Sequence, residues 1–350
     1  MQRIFGTLPD GSKVHAITLE SDAGLRAEVL TYGGILRRLQ VPDGDAWVDV
    51  VLGLADLDAY RADHDSLGIL VGRFGNRIAK GRFVLDGVEY CLSRNEGRNH
   101  LHGGVDGFGR RLWAVRELER DRVLLVRVSP AGEEGYPGTL EVSAEFRVQG
   151  RRLELCFRAR TDAKTPLNLT HHPYFNLAGS PDVRASTQIL CVPADRYLPV
   201  DAALLPTGAI ASVDAGPFDF RMPATLDSKR VAGNVQLARG HGYDHCLVLA
   251  PTHTCSAELY SPHSGLAMRL TSSMPAVQLY EGQMLGHRHL QLGRGICLEP
   301  QQFPDAPNHP GFPDTVLRPG QDYLHRIQYR FGLAGRHAHW DAVVAALDRS

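Results

Sequence analysis

The stretch VSAEFRVQGRRLELCFRA, residues 142–159, indicates the fold most directly. Apolar residues occupy every second position on both sides of Gln149-Gly150, a pattern typical of two strands joined by a tight turn. Successive side chains on a strand point to opposite faces, so each of these strands has one apolar face and one polar face. The stretch therefore predicts an antiparallel hairpin whose apolar face covers a core.

The same alternation recurs along the chain. Residues 83–90 contain Asp86-Gly87, a dipeptide that tolerates the positive φ angles of a type I′ turn. Further strand pairs are predicted in the ranges 113–128, 258–271 and 323–331. Helical periodicity is scarce, so we expect an all-β fold, a large antiparallel β-sandwich with few short helices. The proline-punctuated stretch 195–242 is expected to form loops that rim a cleft.

The end of the chain departs from this pattern. Apolar residues fall at the helical spacing i, i+3, i+4 and i+7, namely Trp340, Val343, Val344 and Leu347. Residues 336–350 are therefore predicted to form an amphipathic helical tail that packs on the sheets, with a subunit contact as the alternative. Residues 1–335 are predicted to form a single domain, because all-β architectures often run long as one unit.

Composition limits the partners that we expect. The chain has 350 residues, with 38 basic and 39 acidic side chains and a formal net charge of −1, which gives no electrostatic reason to bind nucleic acid or an anionic membrane. No apolar run approaches the roughly 20 residues that span a bilayer, and the amino terminus lacks a secretory leader pattern. We expect a cytoplasmic protein that binds a small neutral molecule. Monomer and homodimer both remain open.

Cysteine and histidine are the residue types that most often bind transition metals. The six cysteines are far apart and form no Cys-x-x-Cys pair, so they are predicted to be reduced core residues. Three His-x-His spacings occur, at His100/His102, His287/His289 and His337/His339. Zinc is conceivable at such pairs, but no third ligand falls at a usual spacing. We therefore predict neither a metal nor a cofactor.

Polar residues concentrate in a few motifs. In NLTHHPYFNL, residues 168–177, Pro173 excludes a helix interior and pushes His172 toward an extended backbone. A fixed imidazole suits acid or base catalysis, although a hydrogen-bonded core histidine is the simpler interpretation of one isolated residue. Similar polar groups occur in GRFGNRI (72–78), NEGRNHLHGG (95–104) and CLEPQQFPDAPN (297–308).

At these motifs, together with GYDH (242–245) and PAVQLY (275–280), the chain resembles the aldose 1-epimerases, or galactose mutarotases, over nearly its whole length. The resemblance implies the galactose mutarotase-like sandwich and the interconversion of the α and β anomers of free aldohexoses and aldopentoses. That reaction removes a proton from the C1 hydroxyl and protonates the ring oxygen, which opens the ring to an aldehyde. It requires one base, one acid and groups that hold the sugar.

The resemblance also implies residue roles. Glu299 matches the base, His172 matches the acid, and His102 matches a second imidazole near the ring oxygen. The sugar-binding groups implied in the same way are Arg73, Asn76, Asp244 and Gln278. For Arg77, an internal salt bridge is as plausible as a ligand contact. Burial would raise the pKa of Glu299 and a nearby arginine would lower it, so its net direction stays open.

The doubled histidine raises the question of which imidazole is the acid. Alternation along an extended backbone points His171 and His172 to opposite faces, so only one can face the sugar. The alignment of the following YFNL favours His172.

Other functions are compatible with parts of this pattern. A hexose-6-phosphate 1-epimerase would keep the acid and the base but need a basic cluster for the phosphate. A non-catalytic carbohydrate-binding module would keep the groups that hold hydroxyls but have no use for an acid and base pair. A glycosidase could pair Glu299 with Asp244, but the imidazoles would then be unexplained.

Overall fold

The computed structural model describes residues 1–251, 254–285 and 294–350. The strands of the amino-terminal half are β1 Gln2–Thr7, β2 Lys13–Glu20, β3 Arg26–Leu30, β4 Leu36–Asp43, β5 Ala46–Asp49, β6 Leu70–Val71, β7 Arg77–Ile78, β8 Arg82–Leu85, β9 Val88–Cys91, β10 His100–Leu101, β11 Ala114–Leu118, β12 Arg122–Ser129, β13 Leu140–Gln149 and β14 Arg152–Thr161. The strands that follow are β15 Thr165–Pro166, β16 Thr170–His171, β17 Tyr174–Phe175, β18 Ile189–Cys191, β19 Ala194–Tyr197, β20 Ala211–Ser212, β21 Ala224–Thr225, β22 Asp244–Leu249, β23 Ala257–Tyr260, β24 Leu266–Ser272, β25 Ala276–Tyr280, β26 Ile296–Gln301, β27 Val316–Leu317 and β28 Tyr323–Leu333. The α-helices among the described residues are short: α1 Leu57–Ala62, α2 Leu226–Lys229, α3 Val235–Arg239 and α4 Trp340–Arg349.

Three larger sheets make up the body of the protein. A nine-stranded sheet has the order β11-β12-β13-β14-β28-β24-β23-β18-β21, a six-stranded sheet has the order β17-β26-β25-β22-β19-β20, and β1 to β5 form a third sheet. All three sheets contribute to one hydrophobic cluster, for example through Val29, Phe157 and Leu298. The predicted fold class, an antiparallel β-sandwich with few short helices, is confirmed.

The hairpin predicted for residues 142–159 forms the third and fourth strands of the largest sheet. Strands β13 and β14 pair from Leu140↔Thr161 to Gln149↔Arg152, and Gly150 turns the chain with φ of +54°. The apolar positions of β13 are buried while Glu141 is exposed. Burying each such side chain stabilises the fold by about 1.5–3 kcal/mol, so Phe146→Ala should cost about 3–5 kcal/mol.

Most of the other predicted hairpins are present. Asp86 and Gly87 have φ of 51° and 80° between β8 and β9, as a type I′ turn requires. Strands β11 and β12 form a second predicted pair, and β23 and β24 form a third. The prediction for 323–331 is wrong: this range lies in the single long strand β28, between β14 and β24. Its alternation is uninterrupted by turn residues, which fits one central strand.

Two less regular regions also bear on the predictions. The stretch 195–242 contains short strands and the helices α2 and α3 as well as loops, and its residues Leu204, Gly240 and His241 line a cavity. Helix α4 buries Val343 and Leu347 against Tyr260 and Ala267. The predicted helix therefore packs on the sheets, whereas the division into a domain and a tail stays a prediction. None of the helices in the described ranges is both long and apolar enough to cross a bilayer.

Candidate active site

A cavity of about 330 Å³ brings together most of the polar residues singled out in the sequence. Its lining includes His102, His172, Glu299, Arg77, Asp244 and Asn76. Its size falls in the range of small-molecule sites and is sufficient for a monosaccharide. A neighbouring cavity of about 650 Å³ shares His64 and His102 with it. The site is therefore a small polar chamber that continues into a wider cleft.

Strand β26 supplies Glu299. Because side chains alternate along a strand, Leu298 enters the main core while Glu299 faces the cavity. The carboxylate is 2% exposed, and its Oε2 has no hydrogen-bond partner among the described residues. A buried oxygen without a partner is costly, so this atom is available to a ligand.

The backbone fixes His172 on both sides. Its N–H donates to the Ile69 carbonyl at 3.1 Å, and its carbonyl accepts from the Gly68 N–H at 3.0 Å. The imidazole Nε2 lies 3.5 Å from Glu299 Oε1. His171 points the other way, with Nδ1 3.2 Å from the Tyr329 hydroxyl. The expectation that the two histidines face opposite sides is confirmed, and His172 is the one at the cavity.

His102 follows β10 and contacts His172. The two rings meet edge to face with centroids 5.2 Å apart. The Asn76 N–H donates to His102 Nδ1 at 3.2 Å, and the His102 N–H donates to the Asn76 carbonyl at 3.1 Å. A neutral imidazole that accepts at Nδ1 carries its proton on Nε2. His102 can therefore donate a hydrogen bond from Nε2.

A tight loop holds His102 in place. His102, Gly103 and Gly104 all have positive φ, and a Cβ at position 103 would collide with the Gly72 carbonyl oxygen. The Glu134 carboxylate accepts from the N–H groups of Val105 and Asp106 at 3.1 and 3.0 Å. Sequence reasoning missed the contribution of Glu134.

Asp244 is another carboxylate of the cavity, and two neighbours hold it in place. Gln278 Nε2 donates to Asp244 Oδ1 at 2.5 Å, and Arg77 Nη1 lies 3.7 Å from Asp244 Oδ2. Arg77 also donates to both carboxylate oxygens of Glu96, at 2.8 and 2.6 Å. Gln278 thus reaches the site through Asp244, while Arg77 lines the cavity directly.

Arg73, which the resemblance implied as a sugar-binding group, is not among the residues that line the cavity. Its guanidinium is buried away from the cavity, and all five N–H groups donate over 2.7–2.9 Å to Ser129 Oγ and to the carbonyl oxygens of Ser129, Pro130, Pro137 and Gly138. No donor is left for a sugar. The arginine of GRFGNRI that reaches the cavity is Arg77. In the β7–β10 pair Arg77 lies opposite Leu101, and Leu101 directly precedes His102.

Aromatic walls were also missed. The rings of Tyr174 and Tyr280 lie 5.1 and 6.4 Å from the His172 ring, and both residues line the cavity. Each belongs to a motif quoted above, so the motifs located them without indicating their role. Trp113, in contrast, is a core residue with 1% exposure.

Burial dominates the electrostatics of the site. It raises the pKa of Glu299 well above its usual value, Asp244 acts in the same direction, and Arg77 opposes the change. Burial also raises the pKa of Asp244, against the effects of Arg77 and Gln278. It lowers the pKa of His172 to about 4 and that of His102 well below its usual value. The direction of the pKa of Glu299, which the sequence left open, is therefore upward.

The same residues could hold a metal ion. The donor atoms of His102, His172 and Glu299 lie within 4.8 Å of one another, and two imidazoles with one carboxylate are a common catalytic zinc set. Sequence spacing missed this cluster because its members come from separate elements. His100, the partner of His102 in one His-x-His pair, instead bonds to the Tyr136 hydroxyl at 2.7 Å. His287 and His289 lie outside the described residues.

Comparison with known proteins agrees with this geometry. A family model described as Aldose 1-epimerase matches residues 15–330. The chain is 41% identical over 344 residues to the galactose mutarotase of Rattus norvegicus, which covers 95% of this chain and 98% of that protein. It is 35% identical over 338 residues to the aldose 1-epimerase of Escherichia coli (strain K12), covering 92% and 96%.

The chain also resembles solved structures of aldose epimerase homologues. The crystal structure of the GalM/aldose epimerase homologue from C. elegans matches with a TM-score of 0.84 and 32% identity, over 91% of this chain and 98% of that one. The family model covers the motifs that build the cavity, from Asn76 to Glu299. The chain therefore belongs to the aldose 1-epimerase family.

Proposed function

We propose that the protein is an aldose 1-epimerase that interconverts the α and β anomers of free aldoses, with Glu299 as the general base and His172 as the general acid. The 3.5 Å approach of His172 Nε2 to Glu299 Oε1 carries the proposal. The C1 hydroxyl and the ring oxygen are bonded to the same carbon. An acid and a base that serve both atoms must therefore lie side by side.

The proton transfers balance within this pair. The Glu299 carboxylate takes the proton of the C1 hydroxyl while the His172 imidazolium protonates the ring oxygen, so the bond between C1 and the ring oxygen breaks and a C1 carbonyl forms. Rotation about the C1–C2 bond then presents the other face of the carbonyl. On closure, His172 takes the proton back from the sugar hydroxyl and Glu299 returns its proton to the C1 oxygen.

The pKa directions support these roles. A carboxylate whose pKa is raised is a stronger base, and an imidazolium whose pKa is lowered is a stronger acid. The pair holds one proton throughout the cycle and differs only in which partner carries it. Burial favours the arrangement that accompanies the open-chain sugar, with Glu299 protonated and His172 neutral.

The residues around this pair bind the sugar in the proposed function. We assign Arg77 as a donor and Asp244 as an acceptor for sugar hydroxyls, with Gln278 positioning Asp244 and Asn76 positioning His102. The Nε2 proton of His102 is a donor suited to the ring oxygen. Tyr174 and Tyr280 supply an apolar wall that excludes water.

The charge of the lining favours an unphosphorylated sugar over a hexose 6-phosphate. Arg77 is already paired with Glu96 and Asp244. The described lining also contains acidic side chains, among them Asp65 and Glu299, which would repel a phosphate. A non-catalytic binding module would gain nothing from burying Glu299 beside His172, because such burial costs stability.

Polarimetry of freshly dissolved α-glucose or α-galactose tests the proposal. We expect the wild-type protein to accelerate the decay of optical rotation and Glu299→Gln to lower kcat by at least about 10²-fold, as for removal of a general base. Gln278→Glu keeps the shape of a residue outside the acid and base pair and serves as a comparison for effects on KM. Decay at the buffer rate for every common aldose would refute the enzymatic function.

A further inference from the structure

A row of buried polar side chains crosses three neighbouring strands beside the cavity. In the ladder, Gln278 of β25 lies directly opposite Glu299 of β26 and Cys246 of β22. Asp244 is two residues from Cys246, so it lies on the same face of the sheet as Gln278. The same holds for Gln301, two residues after Glu299. Gln301 and Asp244 are therefore diagonal neighbours of Gln278, one on each side.

Hydrogen bonds connect these side chains in one direction. Gln301 Nε2 donates to Gln278 Oε1 at 3.3 Å, and Gln278 Nε2 donates to Asp244 Oδ1 at 2.5 Å. Gln301 is 0% exposed and Gln278 is 3% exposed, so water does not compete for these contacts. None of the roles assigned above involves Gln301, although it belongs to the motif CLEPQQFPDAPN.

We propose that Gln301 is a positioning residue for sugar binding: it fixes the Gln278 amide with its NH₂ group toward Asp244, which holds the carboxylate in place for a sugar hydroxyl. A glutamine amide has a donor end and an acceptor end of nearly the same shape, so its partners set its orientation. A reversed Gln278 amide would place its oxygen against the Asp244 carboxylate, where both groups are acceptors. The inference rests on the function proposed above, in which Asp244 binds the sugar.

Packing alone does not explain an amide at position 301. The Gln301 Oε1 is buried and has no hydrogen-bond partner within the described part of the chain, and such an atom costs stability. A methionine has a similar length and no polar group that needs a partner, so it would avoid this cost. The donor that Gln301 supplies to Gln278 accounts for the amide.

Polarimetry on Gln301→Met and Gln302→Met tests the proposal. Gln302 is the matched control, because it is the same residue type one position along the chain and its Nε2 contacts Met274 Sδ instead of Gln278. We expect Gln301→Met to raise KM about 3–10-fold with kcat within about twofold of the wild-type value, since the net contribution of one hydrogen bond corresponds to such a factor. Gln302→Met should keep both constants. Gln301→Asn, which withdraws the amide by one methylene, should raise KM in the same way and replaces Gln301→Met if that variant does not fold.

A double-mutant cycle separates positioning from a general effect on the fold. Gln278→Met removes the group through which Gln301 acts, so the double variant Gln278→Met/Gln301→Met should have the KM of Gln278→Met alone. The urea midpoint of Gln301→Met should not fall below that of the wild type. Increases in KM that multiply in the double variant, or a folded Gln301→Met protein with the wild-type KM, would overturn the proposal.

The side-chain amide signals of glutamine give a readout that is independent of turnover. In ¹H–¹⁵N spectra, the Gln278 Nε2 proton bonded to Asp244 should resonate at lower field than in a free amide, and Gln301→Met should shift it toward the free position. A Gln278 signal that Gln301→Met leaves unchanged would contradict the proposed orientation. If the wild-type protein accelerates mutarotation of no aldose, the enzymatic function fails, while these spectra still decide whether Gln301 orients Gln278.

Discussion

The chain contains two pairs of like residues that differ in what surrounds them. Arg73 and His171 face the interior, whereas Arg77 and His172 face the cavity. Every donor of Arg73 is taken by the protein itself, while Arg77 pairs with the cavity carboxylate Asp244. Burial lowers the pKa of both histidines, to about 3 for His171 and about 4 for His172. The direction of the side chain and its partners, rather than residue type or pKa, therefore distinguish the two members of each pair.

The largest expected difference lies between the two histidines. His172→Asn should lower kcat by about 10²–10⁴-fold, because it removes the group that we propose as the proton donor to the ring oxygen. His171→Asn should leave most activity, since His171 contacts Tyr329 on the other side of the backbone. Polarimetry on both variants under identical conditions decides between them. Loss of turnover in His171→Asn alone would reverse the comparison.

The two arginines should separate stability from substrate binding. Arg73→Lys cannot reproduce the five-donor fork, and it leaves buried carbonyl oxygens without partners, each at a cost of about 1–3 kcal/mol. Arg77→Lys should instead raise KM for the sugar. Urea denaturation and steady-state polarimetry measure the two effects. A raised KM in a fully stable Arg73→Lys protein would return Arg73 to the sugar site.

Stability should fall in acid because of buried neutral histidines. Burial lowers the pKa to between about 3 and about 4 for His100, His171, His172, His245 and His325. Below pH 6.5 the unfolded chain binds protons that the folded protein does not, so stability is lost as pH falls toward 4. Each histidine contributes about 1.4 kcal/mol per pH unit. Urea midpoints at pH 7, 6 and 5 test this, and His171→Asn should flatten the slope.

The smallest expected effect is that of Glu299 on stability, and its dependence on pH is opposite to that of the histidines. The pKa of Glu299 is raised by folding, so above the usual carboxyl pKa the folded state holds a proton that the unfolded state releases, and this difference lowers stability as pH rises. Glu299→Gln should therefore raise the urea midpoint at neutral pH, and the gain should vanish below about pH 4.5, near the reference carboxyl pKa. A variant that is less stable at neutral pH would indicate that Glu299 is paired as a charged group.

The sequence predicted what depends on local patterns. Alternation with turn residues located the β13–β14 and β8–β9 hairpins. Pro173 restricts the residue before it, and this predicted the fixed backbone of His172. Alternation alone did not tell the single strand β28 from a hairpin, because the number of partners of a strand is a non-local property.

The points that the sequence could not decide at the site have the same origin. Which arginine of GRFGNRI faces the cavity depends on carbonyl groups more than 50 residues away, which surround Arg73. The direction of the pKa of Glu299 depends on the balance between burial and its neighbours Asp244 and Arg77, which no linear motif contains. The roles of the catalytic and binding residues remain predictions.

The glycine-locked loop at residues 102–104 has a consequence for engineering. A side chain at Gly103 would strike the Gly72 carbonyl, so the residue that follows His102 tolerates no substitution without a backbone shift. The cavity is also lined by Leu204 and the half-exposed Met284, which lie outside the hydrophobic core, so their exchange would disturb little of it. Mutant libraries that seek a new sugar preference should be concentrated at those two positions.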